Sequence, residues 1–352
     1  MAPVSRIWRH QLGEATTNQW RTCHRATLLL CTLSVLLATP AESKTDLNGG
    51  VWSDLTIGFV STRGSHRTEA LQMASLTSTP AFFHASPAGG SSNRMRIPIP
   101  NHPAINHYIE RYKDRDRKTF REALDRSWPH LPVMEEIFQS EGIPEELIYV
   151  ALVESSFKGR ASYRGAKGYW QLLGPTARSL GLRVDSWVDE RVDPVKSTHA
   201  AARYLRMLHE QFESWPLALA AYNAGSNVVS RTTQRHGSDN FWALCDRKAF
   251  SGRTRAYVAK VLGAIQIARN FEEHGFSRPH NVQVFNFESI QVGKPLKLDE
   301  VAKWLQVPAC DLRELNPSLS KGCVPSGSEF TLRIPSGAHD RFNLAYRDYI
   351  RK

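Results

Sequence analysis

A single glutamate, Glu154, ends an apolar run and precedes a stretch rich in glycine and small residues, in ALVESSFKGRASYRGAKGYWQ. Desolvation at the margin of an apolar helix penalises the ionised form of a carboxyl group and raises its pKa. Such a group stays protonated near neutral pH and can act as a general acid. Because an ordinary solvated glutamate can also end a helix, Glu154 alone does not decide between catalysis and structure.

Aromatic and amide side chains follow this glutamate, with Tyr169, Trp170 and Gln171 in sequence. Aromatic faces and amides suit sugars, since a pyranose has an apolar C–H face and a rim of hydroxyl groups. The small residues before them would let a polymer approach a loop closely. A core position is an equally good interpretation of Trp170, and AAYNAG places Tyr222 and Asn223 where a core residue and a helix cap are also expected.

Helical patterns dominate residues 104–275. One long charged helix is predicted for INHYIERYKDRDRKTFREALDRSW, and a buried helix that starts at Pro144 is predicted to carry Glu154. Asp193 and Pro194 fit the cap and the first residue of another helix, and Pro216 fits the start of a further apolar one. The unit is therefore predicted to be mainly α.

The pattern changes within residues 280–338, where NVQVFNFESIQV and EFTLRIP are typical of strands and LDEVAKWL and CDLRELN of short helices. This order predicts a small appended module better suited to binding than to catalysis, and residues 339–352 are assigned to a tail. Cys310 and Cys323 could close a short disulfide loop in an oxidising compartment. No cysteine spacing matches a metal site, and no cofactor motif is present.

Residues 1–43 resemble a secretory signal, with a basic start, a short apolar run and small residues before a cleavage point. An uncut membrane anchor is the alternative. Residues 44–103 are rich in Ser, Thr, Gly and Pro and are predicted to be a disordered linker. These features predict export to the periplasm or cell envelope, and they leave membrane association open.

The net charge of +11 indicates attraction to anionic polymers such as cell-wall glycans, or to anionic membrane surfaces. Nucleic acid is not expected as a partner of an exported chain. The alternative is that the net charge only increases the solubility of the protein.

Several ordered blocks, VESSF, ASYRGAKGYWQLLGPTARSLGL, DERVDPVKSTHAAARYL and WPLALAAYNAG, resemble the lytic transglycosylases of the soluble-transglycosylase type, in the membrane-bound murein transglycosylase D branch. The resemblance covers about residues 98–275. The segment LDEVAKWLQVPACDLRELNPSL with LRIP resembles a degenerate LysM-like module, a type that binds glycans containing N-acetylglucosamine. Together, the two resemblances imply a goose-type, lysozyme-like α fold followed by a small α+β module.

The resemblance implies that peptidoglycan glycan strands are the substrate and that Glu154 is the single catalytic carboxyl group. In this family the acid protonates the oxygen between N-acetylmuramic acid and N-acetylglucosamine. The resulting carboxylate then deprotonates the C6 hydroxyl of the muramoyl sugar, which closes a 1,6-anhydro ring without water. The sequence leaves open which protein partners in the cell envelope direct the enzyme.

The resemblance also implies roles for other residues. Tyr222 matches a tyrosine that orients the glutamate, Gln171 a glutamine of the groove, and Ser162 a serine near the acid and the substrate. Asn223 and Tyr257 match further family positions and, with Trp170, are predicted to bind substrate.

The chain departs from the family pattern at two places. Seven residues separate Glu154 from Ser162, one fewer than in the commoner pattern, and Arg253 stands where the family more often has a glutamate. These departures motivate one alternative, a non-catalytic glycan-binding protein that retains the fold.

A hydrolytic muramidase is the other alternative, and it would require a second carboxylate near Glu154. The candidates are Asp185, Asp189, Glu190 and Asp193, but DERVDP is interpreted as structural because Asp193 caps a helix and Arg191 can pair with an acid. The lyase is therefore the favoured prediction.

Overall fold

The computed structural model describes residues 95–279, 282, 286–327 and 329–351. The predicted signal and most of the predicted linker lie outside these residues. The described chain contains a helical unit, residues 95–279, and a terminal module, residues 286–351, each with its own cluster of buried apolar side chains.

The helical unit confirms the mainly α prediction. Its helices are α1 (Pro103–Lys113), α2 (Arg117–Ser127), α3 (Leu131–Ser140), α4 (Tyr149–Ser155), α5 (Gly174–Ser179), α6 (Pro194–Phe212), α7 (Trp215–Ala224), α8 (Ser226–His236), α9 (Phe241–Asp246) and α10 (Gly252–Arg269). Short 3-10 turns lie at Glu145–Ile148 and Glu190–Val192. Among the described residues, no helix combines the length and apolar character needed to cross a bilayer.

The first long helix predicted from the sequence is in fact two helices, α1 and α2. The break falls at the charged segment 114–116, where the backbone N–H of Asp114 bonds to Glu110 and that of Asp116 bonds to the carbonyl of Arg111. The Arg111 guanidinium also forms a 2.6 Å salt bridge with Asp116 across this turn. The apolar stripe continues through the break, because Tyr112 of α1 stacks on Phe120 of α2.

The predicted start of α6 is confirmed. Asp193 is the N-cap, and its Oδ1 accepts hydrogen bonds from the backbone N–H groups of Val195 (3.0 Å) and Lys196 (2.9 Å). Pro194 occupies the first helical position, where a missing N–H costs nothing. The Asp193 side chain thereby satisfies two of the backbone N–H groups that the start of a helix leaves without an intrahelical acceptor.

The small-residue stretch after Glu154 forms a three-stranded antiparallel sheet rather than the predicted loop. Its strands are β1 (Ser162–Tyr163), β2 (Ala166–Lys167) and β3 (Leu172–Leu173). Arg164 (φ 48°) and Gly165 (φ 84°) both have left-handed φ values in the two-residue connection of β1 and β2. Positive φ at both central residues is the signature of a tight hairpin turn, usually built with Asn-Gly. Two-residue strands are too short to show an alternating pattern.

The end of the predicted linker, residues 95–102, packs against the helical unit instead of being disordered. Ile97 is 1% exposed and belongs to the apolar core. Its backbone N–H donates to Glu146, and its carbonyl accepts a 2.7 Å hydrogen bond from Arg269 of α10. Arg269 also pairs with Glu146, so this partly buried ion pair holds the segment against the core.

The terminal module has the predicted order of strand, two helices and strand. Its elements are β4 (Phe287–Val292), β5 (Leu296–Lys297), α11 (Leu298–Leu305), α12 (Ala309–Leu315), β6 (Cys323–Val324), β7 (Phe330–Pro335) and α13 (His339–Arg351). Strands β4 and β7 pair antiparallel from Phe287↔Pro335 to Val292↔Phe330, and β5 pairs with β6. The assignment of 339–352 to a tail is wrong for the described residues, because α13 buries Phe342 completely in the module core.

The module is docked on the helical unit by buried polar contacts. Arg333 of β7 pairs with Asp193 through two hydrogen-bonding contacts, Nη1 to Oδ2 at 2.8 Å and Nη2 to Oδ1 at 2.9 Å. Val188 forms a β-bridge with Leu319 and is fully buried within the core of the module. The residue that caps α6 therefore also anchors the module.

The predicted disulfide between Cys310 and Cys323 is not formed. Both thiols are free, Cys310 in the exposed first turn of α12 and Cys323 in strand β6. The Cys323 thiol donates to the carbonyl of Val324, and the Cys310 thiol donates to the carboxylate of Asp311. The two cysteines lie on separate elements, each with its own local partner.

Candidate active site

Glu154 lies in the last turn of α4, a helix whose other residues are mostly buried. The helix packs against α10 and α2, so its apolar residues line the core while Glu154 keeps a partly exposed side chain. Tyr257 of α10 donates a 2.7 Å hydrogen bond from its hydroxyl to Oε1 of Glu154. This contact fixes one carboxyl oxygen and leaves the other available to a ligand.

Burial raises the pKa of Glu154 to about 7, although the hydrogen bond from Tyr257 acts in the opposite direction. The shift confirms the physical argument from the sequence, since desolvation disfavours the carboxylate. A carboxyl group with this pKa is partly protonated at neutral pH. It can therefore give up a proton and later accept one under the same conditions.

The backbone immediately after Glu154 is strained. Ser156 (φ 53°) and Phe157 (φ 55°) both have left-handed conformations, which cost non-glycine residues about 1–3 kcal/mol each. Phe157 is 2% exposed, and the Arg126 guanidinium donates a 2.8 Å hydrogen bond to the carbonyl of Ser156. Core packing and this hydrogen bond hold the turn that places Glu154 at the end of α4. This turn could not be predicted from the residue types, because neither position is a glycine.

Tyr222 lies near Glu154 but does not bond to it. Its hydroxyl donates to the backbone carbonyl of Trp170 at 2.8 Å. Burial raises the pKa of Tyr222 well above its usual value, and the negative charge of Glu154 raises it further. The direct orienting contact predicted for Tyr222 is made by Tyr257 instead, a residue predicted to bind substrate.

Trp170 is part of the core, so the prediction that its side chain contacts a sugar is wrong. The indole is 0% exposed, stacks on Phe138, and donates from Nε1 to Thr198 at 3.1 Å. Tyr163 is the aromatic residue that faces solvent on the adjacent sheet, at 66% exposure beside Ser162. Its position makes it a candidate sugar contact that was not among the residues predicted from the sequence.

Gln171 stabilises the turn that leads into β3. Its amide nitrogen donates to the carbonyls of Ala161 (3.1 Å) and Gly168 (2.8 Å), and its own φ is 48°. Gly168 is required here, because it has φ 86° and a Cβ would lie 1.8 Å from the carbonyl oxygen of Arg191. The side-chain oxygen of Gln171 points to no hydrogen-bond donor in the described part of the chain.

The remaining predicted residues are accessible to a ligand. Ser162 begins the exposed strand β1, and Asn223 is half-buried at the end of α7. Neither residue forms a hydrogen bond with Glu154 within the described residues. Arg253 is exposed in the first turn of α10 and forms no salt bridge with a described acidic residue.

The four acidic residues considered as a second catalytic carboxylate are all engaged in structural contacts. Asp189 pairs with Lys167 and Arg191, Glu190 with Lys196, Asp185 with Arg183, and Asp193 with Arg333. Hydrogen bonding from Arg183 lowers the pKa of Asp185 to about 2. Carboxylates held in ion pairs are poor general bases, so these contacts favour chemistry that depends on Glu154 alone.

The activity is expected to follow the protonation of Glu154. Because the raised pKa keeps the acid form up to about pH 7, kcat/KM falls as the pH rises above 7. Tyr257→Phe removes a hydrogen bond that lowers this pKa, so the descending limb should move upward by about one pH unit. The same change should lower the maximal rate about tenfold, since one carboxyl oxygen loses its support. Rates on purified substrate across pH 5–9 measure both effects.

Tyr204→Phe is the matched control for that experiment. Tyr204 is half-buried beside Tyr222, and its hydroxyl makes no hydrogen bond within the described residues. Its removal should leave the pH profile in place. Superimposable profiles for wild type and Tyr257→Phe would contradict the role given to Tyr257.

Comparison with known families agrees with this geometry. Residues 133–245, which contain Glu154 and Tyr222, match the family model of the transglycosylase SLT domain. Residues 286–349 match the LysM-like domain of lytic transglycosylase MltD. The chain carries a transglycosylase SLT domain followed by a LysM-like domain. The second match includes most of α13, consistent with the burial of Phe342.

Two curated relatives with similar sequences are named membrane-bound lytic murein transglycosylases. Membrane-bound lytic murein transglycosylase D of Escherichia coli strain K12 is 25% identical over 255 residues, which cover 71% of this chain and 55% of that protein. Membrane-bound lytic murein transglycosylase F of Ectopseudomonas mendocina is 27% identical over 219 residues, or 55% of this chain and 42% of that protein. The chain thus spans about half the length of the curated relatives that it matches.

A solved structure of the lytic transglycosylase Slt from Pseudomonas aeruginosa shows a weaker likeness. It aligns with 42% of this chain and 24% of its own length at 25% identity, with a TM-score of 0.35. The fold assignment of the SLT domain therefore rests on the family match and on the helical architecture.

Proposed function

We propose that this protein is a peptidoglycan lytic transglycosylase that cleaves the β-1,4 bond between N-acetylmuramic acid and N-acetylglucosamine. The observation that carries the proposal is the single carboxyl group of Glu154, with a pKa of about 7, inside a matched SLT domain. The names of the matched relatives describe the same class of enzyme. Export to the cell envelope, as expected from the sequence, would place the enzyme beside this substrate.

In the first step, protonated Glu154 donates its proton to the glycosidic oxygen as the bond to the muramoyl C1 breaks. The partly protonated state of the group at neutral pH supports this role. In the second step, the carboxylate removes a proton from the C6 hydroxyl of the same sugar, and the C6 oxygen attacks C1. The product ends in a 1,6-anhydro ring, and Glu154 regains its proton.

Tyr257 supports both steps by holding one oxygen of Glu154 at 2.7 Å. A hydroxyl donor favours the carboxylate over the acid, so it stabilises the form that exists after the first proton transfer. Burial has the opposite effect and favours the acid before the transfer. The balance of these two effects keeps one group able to act twice.

The proposal is tested on purified sacculi. We expect digestion to release muropeptides with 1,6-anhydromuramoyl ends, identified by a mass lower by one water than the hydrolytic product. Muropeptides with only reducing ends would instead identify a hydrolytic muramidase. No release of soluble fragments by the folded wild-type protein would favour a non-catalytic glycan-binding protein.

A further inference from the structure

We propose that a basic cleft shared by the SLT domain and the LysM-like domain binds a carboxylate of the peptide stems that the glycan strand carries. This inference rests on the proposed function, because it assigns a second feature of the same polymer to a second site. Peptidoglycan strands bear short peptides with free carboxylates, and a lyase that follows the strand meets them beside the cleaved bond.

The cleft has a volume of about 350 Å³, within the range of sites that hold small organic groups. Arg160 of the SLT domain forms one side, and Lys297, Arg313 and Lys321 of the LysM-like domain form the others. Asp299 is the acidic residue in the lining. The cationic side chains thus outnumber the acidic one, and this excess of positive charge in a cleft attracts an anion.

Three of these four cations are available to a ligand. Arg313 pairs with Asp299 at 2.5 Å, which occupies both groups. Arg160, Lys297 and Lys321 form no salt bridge with any described residue. Glu314 interacts electrostatically with Arg160 but is not part of the lining. The unpaired positive charge therefore comes from both domains.

Arg160 connects the cleft to the catalytic residue. It lies in the short segment between Glu154 and Ser162, and its Nη2 donates to the carbonyl of Arg313 at 3.4 Å. The segment that follows Glu154 thus reaches the other domain. Arg160, six residues after Glu154 in the chain, is thus the point at which the segment that follows the proposed catalytic group meets the cleft.

The position of Lys321 is fixed before a ligand arrives. Its ammonium group lies 3.9 Å from the ring centroid of Trp187, and the backbone N–H of Ser320 donates to the carbonyl of Trp187 at 2.9 Å. The N–H of Asp189 donates to the carbonyl of Ser318 on the same loop. Because these hydrogen bonds already hold the loop against the SLT domain, the loop loses little conformational freedom when an anion binds.

The chemistry of the lining favours a carboxylate over an uncharged sugar. A guanidinium presents paired N–H donors that match the two oxygens of a carboxylate, and nearby ammonium groups add charge without a fixed geometry. A sugar alone would gain little from three unpaired cations. The stems are the source of carboxylates that is tied to the proposed substrate.

The test uses the full-length chain with Glu154→Gln, so that binding is measured without cleavage. Lys297→Gln and Lys321→Gln are added together, and affinity is measured for intact glycan strands and for strands stripped of peptides by an amidase and then converted to the amide at the lactyl carboxylate that the amidase exposes. We expect the added changes to weaken binding of peptide-bearing strands about tenfold. Binding of stripped strands should not change.

The control removes the same charge elsewhere, with Lys303→Gln and Arg347→Gln, two exposed residues outside the cleft. It should retain the affinity for peptide-bearing strands. Equal losses on stripped and peptide-bearing strands, or equal losses in the control, would overturn the proposal. If the wild-type protein forms anhydro products but binding does not depend on the stems, the proposal for this cleft is rejected and the proposed lyase activity stands. If binding depends on the stems but the wild type forms no anhydro products, only the lyase proposal is rejected.

Discussion

Glu154→Gln is expected to reduce cleavage of sacculi by about 10³-fold or more, because the replacement keeps the shape of the side chain and removes the proton that it transfers. The loss lies well within the range of about 10²–10⁴-fold for general acid–base catalysis and is expected to be large, since the same group also serves as the base. Release of soluble muropeptides, compared at equal protein concentration, measures it. A variant that retained most of the activity would reject Glu154 as the catalytic group.

The fold of this variant should remain intact. An ionised carboxylate is disfavoured in the buried position, as the raised pKa shows, and a neutral amide avoids that cost. Above pH 7 the thermal midpoint of Glu154→Gln should therefore equal or exceed that of the wild type. Glu122→Gln, which removes an exposed carboxylate on α2, is the matched control and should leave both activity and stability unchanged.

Arg333→Leu is expected to lower the free energy of unfolding by about 3 kcal/mol. The change breaks the buried pair with Asp193, which is 3% exposed and loses its charged partner. The helix cap does not compensate, because two backbone N–H groups stabilise the carboxylate less than a paired guanidinium does. Chemical denaturation followed by circular dichroism measures the difference.

Two further variants separate the ion pair from other effects. Arg347→Leu removes an exposed arginine on α13 and should change stability very little. Asp193→Asn keeps a side-chain oxygen that can cap α6 but lacks the charge, so it should lose much of the same stability as Arg333→Leu. A loss below about 1 kcal/mol in Arg333→Leu would mean that the pair behaves like a surface salt bridge.

Features set by nearby residues were predictable from the sequence. Asp193 and Pro194 specify the start of α6 because the cap bonds to N–H groups two and three residues away. Glu154 could be identified from the sequence because some of the apolar residues that exclude water from its carboxyl group lie in its own helix, α4. The order of strand, two helices and strand in the LysM-like domain follows equally from local patterns.

Contacts between distant residues were not predictable in this way. Tyr257 lies 103 residues from Glu154 in the sequence, and Arg333 lies 140 residues from Asp193. Tyr222 and Tyr257 both end near Glu154, and only the packing of α7 and α10 decides which hydroxyl reaches its carboxyl group. The burial of Trp170 could not be predicted for the same reason. The residues next to an aromatic side chain in the sequence do not show whether it lines a groove or lies beneath it in the core.

In the proposed mechanism, one carboxyl group cleaves the glycan without consuming water. Digestion of sacculi by the wild-type protein in water enriched in heavy oxygen, followed by mass analysis of the muropeptides, tests it most directly. We predict anhydromuramoyl ends that contain no oxygen from the solvent. New reducing ends that carry the heavy isotope, in excess of those in sacculi incubated without the protein, would contradict the proposed mechanism, because they would show that water attacks the muramoyl carbon.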